Sequence, residues 1–201
     1  MINRVLNKLT SLCARLKTLF WYRPQFREIG STSTLYKPML LVNPRYMTLG
    51  SRVTIREGAR IEALKTNPAR TPSLVIGDNT NIEQNVHIVC HCLVHIGKNV
   101  SITGNCSIVD VTHPYENIDD PRKIGSRILE EDSSVEIGDG CFIGMGTIIL
   151  PNVIVGQYCI IGANSVVASD LPAYSVCAGA PAKVIRRYDP ATDQWGKVKS
   201  E

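Results

Sequence analysis

The sequence predicts an all-β fold, a parallel β-helix in which short strands stack into three-sided coils. An aliphatic residue recurs every six positions from Arg52 onward, and a smaller residue stands two positions before each one. The composition agrees, because the chain has only three Phe among 201 residues and fills its apolar positions largely with Ile and Val. A fixed repeat of this kind is typical of folds in which each unit contacts only its neighbours.

The repeating unit is a three-residue strand followed by a three-residue turn. Its aliphatic positions are Ile55, Ile61, Ile76, Ile82, Ile88, Ile96, Ile102, Ile108, Ile137, Ile143, Ile149, Val155, Ile161 and Val167. Its smaller positions are Val53, Ala59, Leu74, Thr80, Val86, Val94, Val100, Cys106, Val135, Cys141, Thr147, Val153, Cys159 and Ser165. Positions two apart on a strand face the same side, so both ends of the unit point inward. An amphipathic helix would need a period of about 3.6 residues.

Three units form one coil, whose faces we name a, b and c for the strands that end at Ile55, Ile61 and Ile76. The repeat is interrupted after Ile61, Ile88 and Ile108, where the turns have twelve, five and twenty-six residues. All three insertions therefore leave the corner between faces b and c. Such clustering indicates either a functional site or an edge that tolerates insertions.

The first twenty residues predict an amphipathic helix. Apolar residues stand at positions 2, 5, 6, 9, 12, 13, 16, 19 and 20, with Arg4, Lys8, Arg15 and Lys17 off that stripe and no acidic residue before Glu28. Trp21 and Tyr22 follow. The pattern fits a helix that lies in the surface of an anionic membrane, and it equally fits a helix packed against the protein's own oligomer.

The charge distribution and the cysteine content restrict the expected binding partners and the cellular location. Residues 1–60 carry a net charge of +9 and the remainder −5, so we expect an anionic surface as a partner of the N-terminus, and an acidic body without a recognition module argues against nucleic acid. The seven Cys lack the spacing of a secreted scaffold, no apolar run can span a bilayer, and charged residues interrupt any signal peptide. We expect a cytoplasmic location, with peripheral contact at the inner face of the membrane.

The stretch "IVCHCLVHIG" places Cys90, His91, Cys92 and His95 close together, as a metal site would. Their spacing is unlike the usual zinc pattern, and Cys also fills the small inward position elsewhere in the repeat. Three of the four residues fall in the five-residue turn at the b–c corner. We therefore expect no metal here, and interpret the turn as the floor beneath a site built by the long insertion.

The stretch "VEIGDGCFIGMGTIILPNVIVGQYCIIGANSVVASDLPAYSVCAGAPAKVIRR" resembles the hexapeptide-repeat acyltransferases, which form left-handed parallel β-helices. Within that family, the chain is most similar to the O-acetyltransferases of capsule and lipopolysaccharide clusters, with the galactoside and maltose acetyltransferases as related enzymes. The expected domains are a basic helix (1–28), a connecting segment (29–48), the β-helix (49–180, with loop 109–134) and a C-terminal tail (181–201).

His113 is the predicted catalytic base. Acyl transfer from a thioester to a hydroxyl needs a group that accepts the hydroxyl proton near neutral pH, and imidazole suits that role. The resemblance implies a catalytic His at the start of the long loop, and Asp110 with "THP" at 112–114 matches its setting. Asp110 either orients the imidazole or serves as a turn residue.

Two further residues match the predicted acceptor site. By the resemblance, Asn85 is a catalytic and substrate-binding residue that donates to an oxyanion or a hydroxyl; on the sequence alone it is equally a turn Asn. His87 points outward from face b, into an acceptor pocket or into solvent. Because Asn85 lies at the a–b corner and His113 at the b–c corner, we expect them to meet between subunits of a homotrimer.

The donor implied by the resemblance is acetyl-coenzyme A. The residues that match its binding site are Phe142, Gly144, Met145, Ala163, Ser169, Lys183 and Arg186. Small residues permit backbone contact with the pantetheine arm, and the two cations would meet its phosphates. Phe142 stands where the family often has Trp, and Ala168–Ser169 where it has Thr-Lys.

We therefore expect an O-acetyltransferase that moves acetyl from acetyl-coenzyme A directly to a sugar hydroxyl of a surface polysaccharide or its lipid-linked precursor. The alternatives are another acceptor, such as serine, an amino sugar or a xenobiotic, and a catalytically dead scaffold. A metal-dependent hydratase similar to the gamma-class carbonic anhydrases is disfavoured, because that branch has a second His soon after the first, and no His follows His113.

Overall fold

The computed structural model describes residues 2–198, with side chains from Leu6 onward except Asn7. One α-helix precedes three sheets, and the coils contribute parallel strands to each of them. The predicted left-handed parallel β-helix is confirmed, and every aliphatic residue that the six-residue period assigned to faces a, b and c lies in the expected sheet.

The helices are α1 (Ile2–Lys17), a π-helical turn (Thr18–Tyr22) and three 3-10 turns (Arg23–Gln25, Pro44–Tyr46, Ile124–Ser126). Face c holds β1 (Glu28–Ile29), β4 (Met47–Leu49), β7 (Ser73–Ile76), β10 (Leu93–Ile96), β13 (Ser134–Ile137) and β16 (Val153–Val155). Face a holds β2 (Thr34–Leu35), β5 (Thr54–Ile55), β8 (Asn81–Ile82), β11 (Ser101–Ile102), β14 (Phe142–Ile143), β17 (Ile160–Ile161), β19 (Ser175–Gly179), β20 (Ala182–Asp189) and β21 (Gln194–Lys197). Face b holds β3 (Leu40–Val42), β6 (Arg60–Ala63), β9 (His87–Cys90), β12 (Ser107–Val109), β15 (Ile148–Ile149) and β18 (Val166–Val167).

The core is the aliphatic column that the repeat predicted. Both inward positions of every unit are at most 1% exposed. The small polar residues in this column are satisfied internally. Thr80 donates from Oγ1 to the Gly97 carbonyl at 2.9 Å and accepts from the Val100 amide at 3.1 Å. Burying a hydroxyl costs little when it is paired in this way.

The β-helix begins one coil earlier than the sequence indicated. Residues 29–48 were expected to connect the helix to the repeat, but β1, β2 and β3 pair in parallel with β4, β5 and β6. Ile29 and Leu35 are buried in the same column. Ile29, Leu35 and Leu41 keep the six-residue period, and Pro44–Tyr46 forms a 3-10 turn in the longer corner that follows face b.

The predicted tail at 181–201 contains two strands. β20 runs antiparallel to β19, and β21 runs antiparallel to β20. A column of aromatic rings holds this hairpin to the last coils, with centroids of Tyr158 and Tyr174 5.4 Å apart, Tyr174 and Tyr188 6.1 Å apart, and Tyr188 and Trp195 5.7 Å apart. Such ring pairs contribute beyond the area that they bury.

Helix α1 and the π-helical turn that follows it pack against the first coil through small and polar residues. Ala14 and Thr18 are buried, and the Thr18 hydroxyl donates to the Ala14 carbonyl at 2.8 Å while it accepts from the Leu35 amide at 2.8 Å. The apolar stripe faces the other way, with Leu6, Leu9, Leu12 and Leu16 each 47–53% exposed. Each of these leucines therefore leaves about half of its side chain exposed, and Leu6 and Leu9 border a groove with Tyr36 of the first coil.

Candidate active site

The three insertions at the b–c corner contact one another and build a single surface. Thr66 Oγ1, from the first insertion, lies 2.8 Å from His91 Nε2 in the second. Asn67 donates from its side chain to Glu130 in the third, at 3.3 Å. Arg70 donates to the Asp132 carboxylate at 2.7 Å. The clustering of insertions therefore reflects a joint structure rather than three independent loops.

His113 lies on this surface near the start of the long loop. Its side chain is exposed, and its Nδ1 atom lies 2.7 Å from the backbone carbonyl oxygen of Arg127. A carbonyl oxygen can only accept, so Nδ1 carries the proton in this contact. In the neutral ring, Nε2 is left with a lone pair, which is the arrangement that a general base requires.

Arg127, which supplies that carbonyl, was not predicted from the sequence. Its side chain is buried, and its guanidinium donates to the backbone carbonyls of Asn117, Asp120 and Arg122 at 2.8–3.0 Å. In the sequence, a buried arginine in a polar loop cannot be distinguished from an arginine that is exposed to solvent. Only the folded loop shows that its donors all point inward.

Asp110 does not contact the His113 ring. The Asp110 side chain is buried, and its carboxylate accepts the backbone amides of His91 at 2.5 Å, Cys92 at 2.7 Å and Leu93 at 2.9 Å. Burial raises the pKa of Asp110, although the three amides act in the opposite direction. The structure therefore favours the turn role that the sequence left open, and Asp110 fixes the second insertion beneath the loop.

The Cys-His stretch does not converge on a point. Cys90 and His91 are buried, whereas His95 is exposed on the outer side of face c. Burial raises the pKa of the Cys90 thiol, which keeps it protonated. Within residues 2–198, no group of three or more potential metal-binding side chains comes together. The stretch lies under the long loop, as its position in the repeat indicated.

His87 points outward from face b, as predicted, and meets charged neighbours. Its Nε2 atom lies 3.6 Å from Glu62 Oε1, and Arg60 lies beside it in the sheet. Burial and the positive charge of Arg60 lower the pKa of His87. The ring is therefore neutral near neutral pH, which suits a hydrogen-bonding partner for a neutral hydroxyl.

Asn85 lies in a ladder of turn residues at the a–b corner. Its backbone is left-handed, with φ of 58°, and its side chain donates to Asn105 Oδ1 at 3.3 Å. A Cβ atom on Gly58 would clash with Asn85 Oδ1, so the glycine leaves the space that this side chain occupies. Asn adopts this backbone more readily than most residues, so turn geometry accounts for its presence here. Within one chain, face b separates Asn85 from the corner that carries His113.

The residues proposed for the donor lie mainly along face a and its corner with face b. Phe142 faces outward in a row with Ile160, Val176 and Arg186, joined strand to strand by the sheet register. This row spans three interstrand spacings, about 14 Å. Phe142 and Ile160 are 45% and 41% exposed, so an apolar strip ends at a cation.

The a–b corner supplies close backbone approach. A Cβ atom on Gly144 would lie 2.6 Å from the Ala163 amide nitrogen, so only glycine fits the stacked turns at that point. Met145 is 57% exposed beside it. Lys183 pairs with Ala178, which lies against Gly162 at the same corner. Ser169 follows β18 at the b–c corner and does not join this group within the chain.

Comparisons with known proteins agree with the fold and with the repeat. The sequence profile described as "Bacterial transferase hexapeptide (six repeats)" matches residues 134–169. Over 184 residues, the chain is 31% identical to the putative lipopolysaccharide biosynthesis O-acetyl transferase WbbJ of Escherichia coli, covering 86% of this chain and 91% of that protein. The galactoside O-acetyltransferase of Escherichia coli is 36% identical over 111 residues, which cover 55% of this chain and 52% of that enzyme.

Solved structures share the architecture at low sequence identity. A mutant of AntD, an N-acyltransferase from Bacillus cereus in complex with dTDP and coenzyme A, aligns with a TM-score of 0.69 at 18% identity and covers 88% of this chain and 89% of that chain. A hexapeptide-repeat acetyltransferase from Vibrio cholerae, complexed with acetyl coenzyme A, aligns with a TM-score of 0.59 at 20% identity and covers 89% of this chain and 85% of that chain. These likenesses establish the fold.

Proposed function

The chain belongs to the hexapeptide-repeat transferases, and we propose that it is an acetyl-coenzyme A-dependent O-acetyltransferase acting on a sugar hydroxyl of a surface polysaccharide or its lipid-linked precursor. The observation that carries the proposal is the contact of His113 Nδ1 with the Arg127 carbonyl, which leaves Nε2 free to accept a proton. The names of the relatives supply the direction to saccharides. Release of the coenzyme A thiol, measured across a panel of glycans, tests the proposal.

The reaction we propose is a direct transfer. His113 Nε2 takes the proton of the acceptor hydroxyl as that oxygen attacks the thioester carbonyl. The C–S bond then breaks, and the imidazolium returns its proton to the leaving thiolate. The Nδ1 hydrogen bond to the Arg127 carbonyl holds the ring in one orientation throughout. No covalent enzyme intermediate is needed, because donor and acceptor meet in one complex.

The donor fits the strip on face a and the a–b corner. The outward row from Phe142 through Ile160 and Val176 to Arg186, about 14 Å long, suits an extended pantetheine chain, and the glycine-lined corner permits its amides to meet backbone groups. Lys183 and Arg186 are exposed at the C-terminal end of that path, where they would face phosphates.

The site we propose is completed between subunits of a homotrimer. The donor residues and Asn85 lie at the a–b corner, whereas His113 lies beyond face b, so one chain does not bring them together. Exposed Met145 and Ile148 beside the a–b corner are suited to an interface. A protein that is active as a monomer in solution would contradict this arrangement.

We also propose that the exposed face of α1 contacts anionic membrane, placing the enzyme at the inner face of the cytoplasmic membrane. No helix in residues 2–198 is long and apolar enough to cross a bilayer. The leucine stripe of α1 continues into Phe20 and Trp21, which are 73% and 64% exposed. Arg15 and Lys17 lie in the last turn, and the sequence has no acidic residue before Glu28. This charge favours anionic lipid as the surface that covers the stripe.

Replacing Leu9, Leu12 and Leu16 by Ser should abolish flotation with anionic phosphatidylglycerol vesicles while the fold persists, because these side chains are exposed and the buried face of α1 is unchanged. A matched variant, Ile118→Ser with Ile124→Ser, removes exposed apolar residues from the loop and should float like the wild type. A leucine variant that still floats, or that instead loses its oligomeric mass, contradicts the membrane role.

A further inference from the structure

The Arg127 side chain is hydrogen-bonded to the backbone carbonyls of Asn117, Asp120 and Arg122 in the loop that carries His113. We call this cluster of four residues the clasp. We propose that Arg127 is a positioning residue for the acetyl-transfer reaction, acting through its own backbone carbonyl on the His113 ring. The expected effects on kcat rest on the proposed function. The hydrogen bonds of the clasp do not depend on which acceptor the enzyme uses.

The guanidinium gathers the loop into one conformation. Nε donates to the Arg122 carbonyl at 3.0 Å, Nη1 to the Asn117 carbonyl at 2.9 Å, and Nη2 to the carbonyls of Asp120 and Arg122, both at 2.8 Å. The side chain of Arg127 is 8% exposed, and the Asp120 carboxylate lies 3.6 Å from its Nε atom. Each of the three guanidinium nitrogens therefore has a carbonyl partner, and such buried pairs hold a loop firmly, since each lost bond leaves a carbonyl without its partner.

The same residue connects the clasp to the catalytic ring. The Arg127 amide donates to the Ile124 carbonyl at 2.9 Å, which closes the 3-10 turn before it. Its carbonyl accepts from His113 Nδ1 at 2.7 Å, and two residues on, the Leu129 amide donates to the Thr112 carbonyl at 3.0 Å. The backbone around Arg127 is therefore held at both ends beside the segment that carries His113.

Lysine does not replace this arrangement. The contacts use three nitrogens in the planar fork of the guanidinium, whereas an ammonium group offers its donors from a single atom. Asp120 is itself engaged by Arg122, whose Nη2 donates to the Asp120 carboxylate at 2.7 Å. If holding the loop required only a positive charge, Arg122 on the same loop would already supply that charge. The clasp depends on the shape of Arg127.

Arg127→Gln should lower kcat about 10- to 100-fold, with the KM for acetyl-coenzyme A changed by less than roughly threefold, because the ring loses its orientation while the donor strip is untouched. Arg127→Lys should recover little of the loss. The control is Lys123→Gln, which removes an exposed cation from the same loop and should retain wild-type kcat. Circular dichroism should show that both variants keep the β-helix, since the loop lies outside the three sheets.

Two readouts separate positioning from general stabilisation. On a His113→Ala background, Arg127→Gln should cause no further loss of kcat, because the effect passes through His113. Long-range ¹⁵N NMR of the four histidines should show His113 protonated at Nδ1 in the wild type and mixed between tautomers in Arg127→Gln. Additive losses, rescue by lysine, or an unchanged tautomer overturn the proposal. The NMR result holds even if no glycan is acetylated, so failure of the proposed function is distinguishable.

Discussion

His113→Ala should reduce kcat by about 10² to 10⁴-fold, because the variant has no group that accepts the hydroxyl proton. The KM for acetyl-coenzyme A should stay within roughly threefold of the wild-type value, since the imidazole acts on the acceptor proton and the residues proposed to hold coenzyme A are unchanged. Steady-state kinetics with a fixed acceptor measure both constants. The rate that remains in His113→Ala measures the acceleration that binding of donor and acceptor contributes without the base.

His95→Ala is the matched control for that experiment. His95 is exposed on face c and pairs with Val75 and Glu136 in the sheet, so its loss removes an imidazole without touching the loop. It should retain wild-type kcat. Equal losses in the two variants, or full activity in His113→Ala, would show that His113 is not the base.

Asp110→Ala should lower the free energy of unfolding by about 3 to 5 kcal/mol, because three backbone amides in a buried turn lose their acceptor. Chemical denaturation measures the change directly. Activity should fall as well, since this turn contacts the end of the long loop through Cys92, whose Sγ donates to the Glu131 carbonyl at 3.7 Å.

The alternative role of Asp110 predicts a different result. If its carboxylate oriented the His113 ring, Asp110→Asn would lower kcat with little loss of stability. Our account expects Asp110→Asn to be destabilised too, because its side-chain NH₂ would face the turn amides as a second donor. Asp132→Ala is the control, since that carboxylate is 95% exposed and surface pairs contribute little.

The β-helix could be predicted because each unit repeats the same burial pattern. Once Ile61, Ile88 and Ile108 are placed on face b, the b–c corner follows by counting, and the sheet register agrees with that count. The first coil keeps the six-residue spacing at Ile29, Leu35 and Leu41. This coil was not found because Arg27 and Met39 stand two positions before Ile29 and Leu41, where the repeat has smaller residues. Pairing with the next coil shows that Ile29 and Leu35 lie in the core.

The candidate site was predictable only in part, because the contacts of its side chains are not visible in the sequence. The sequence indicates that His113 begins the long loop, but it does not show which atom faces its ring. The partner is a backbone carbonyl fourteen residues later, and any residue type could supply one. The sequence left open whether Asp110 orients the ring or serves a turn, and its carboxylate accepts from the amides of the turn below.

The most direct test of the central claim is the time course of acetyl transfer with purified protein, acetyl-coenzyme A and a panel of bacterial surface glycans. Thiol release should depend on a saccharide acceptor, and NMR of the product should show one new O-acetyl group per thiol released. Intact-protein mass spectrometry during turnover should show no acetylated enzyme. Thiol release that is independent of any saccharide, or acetyl appearing only on amines, would contradict the account.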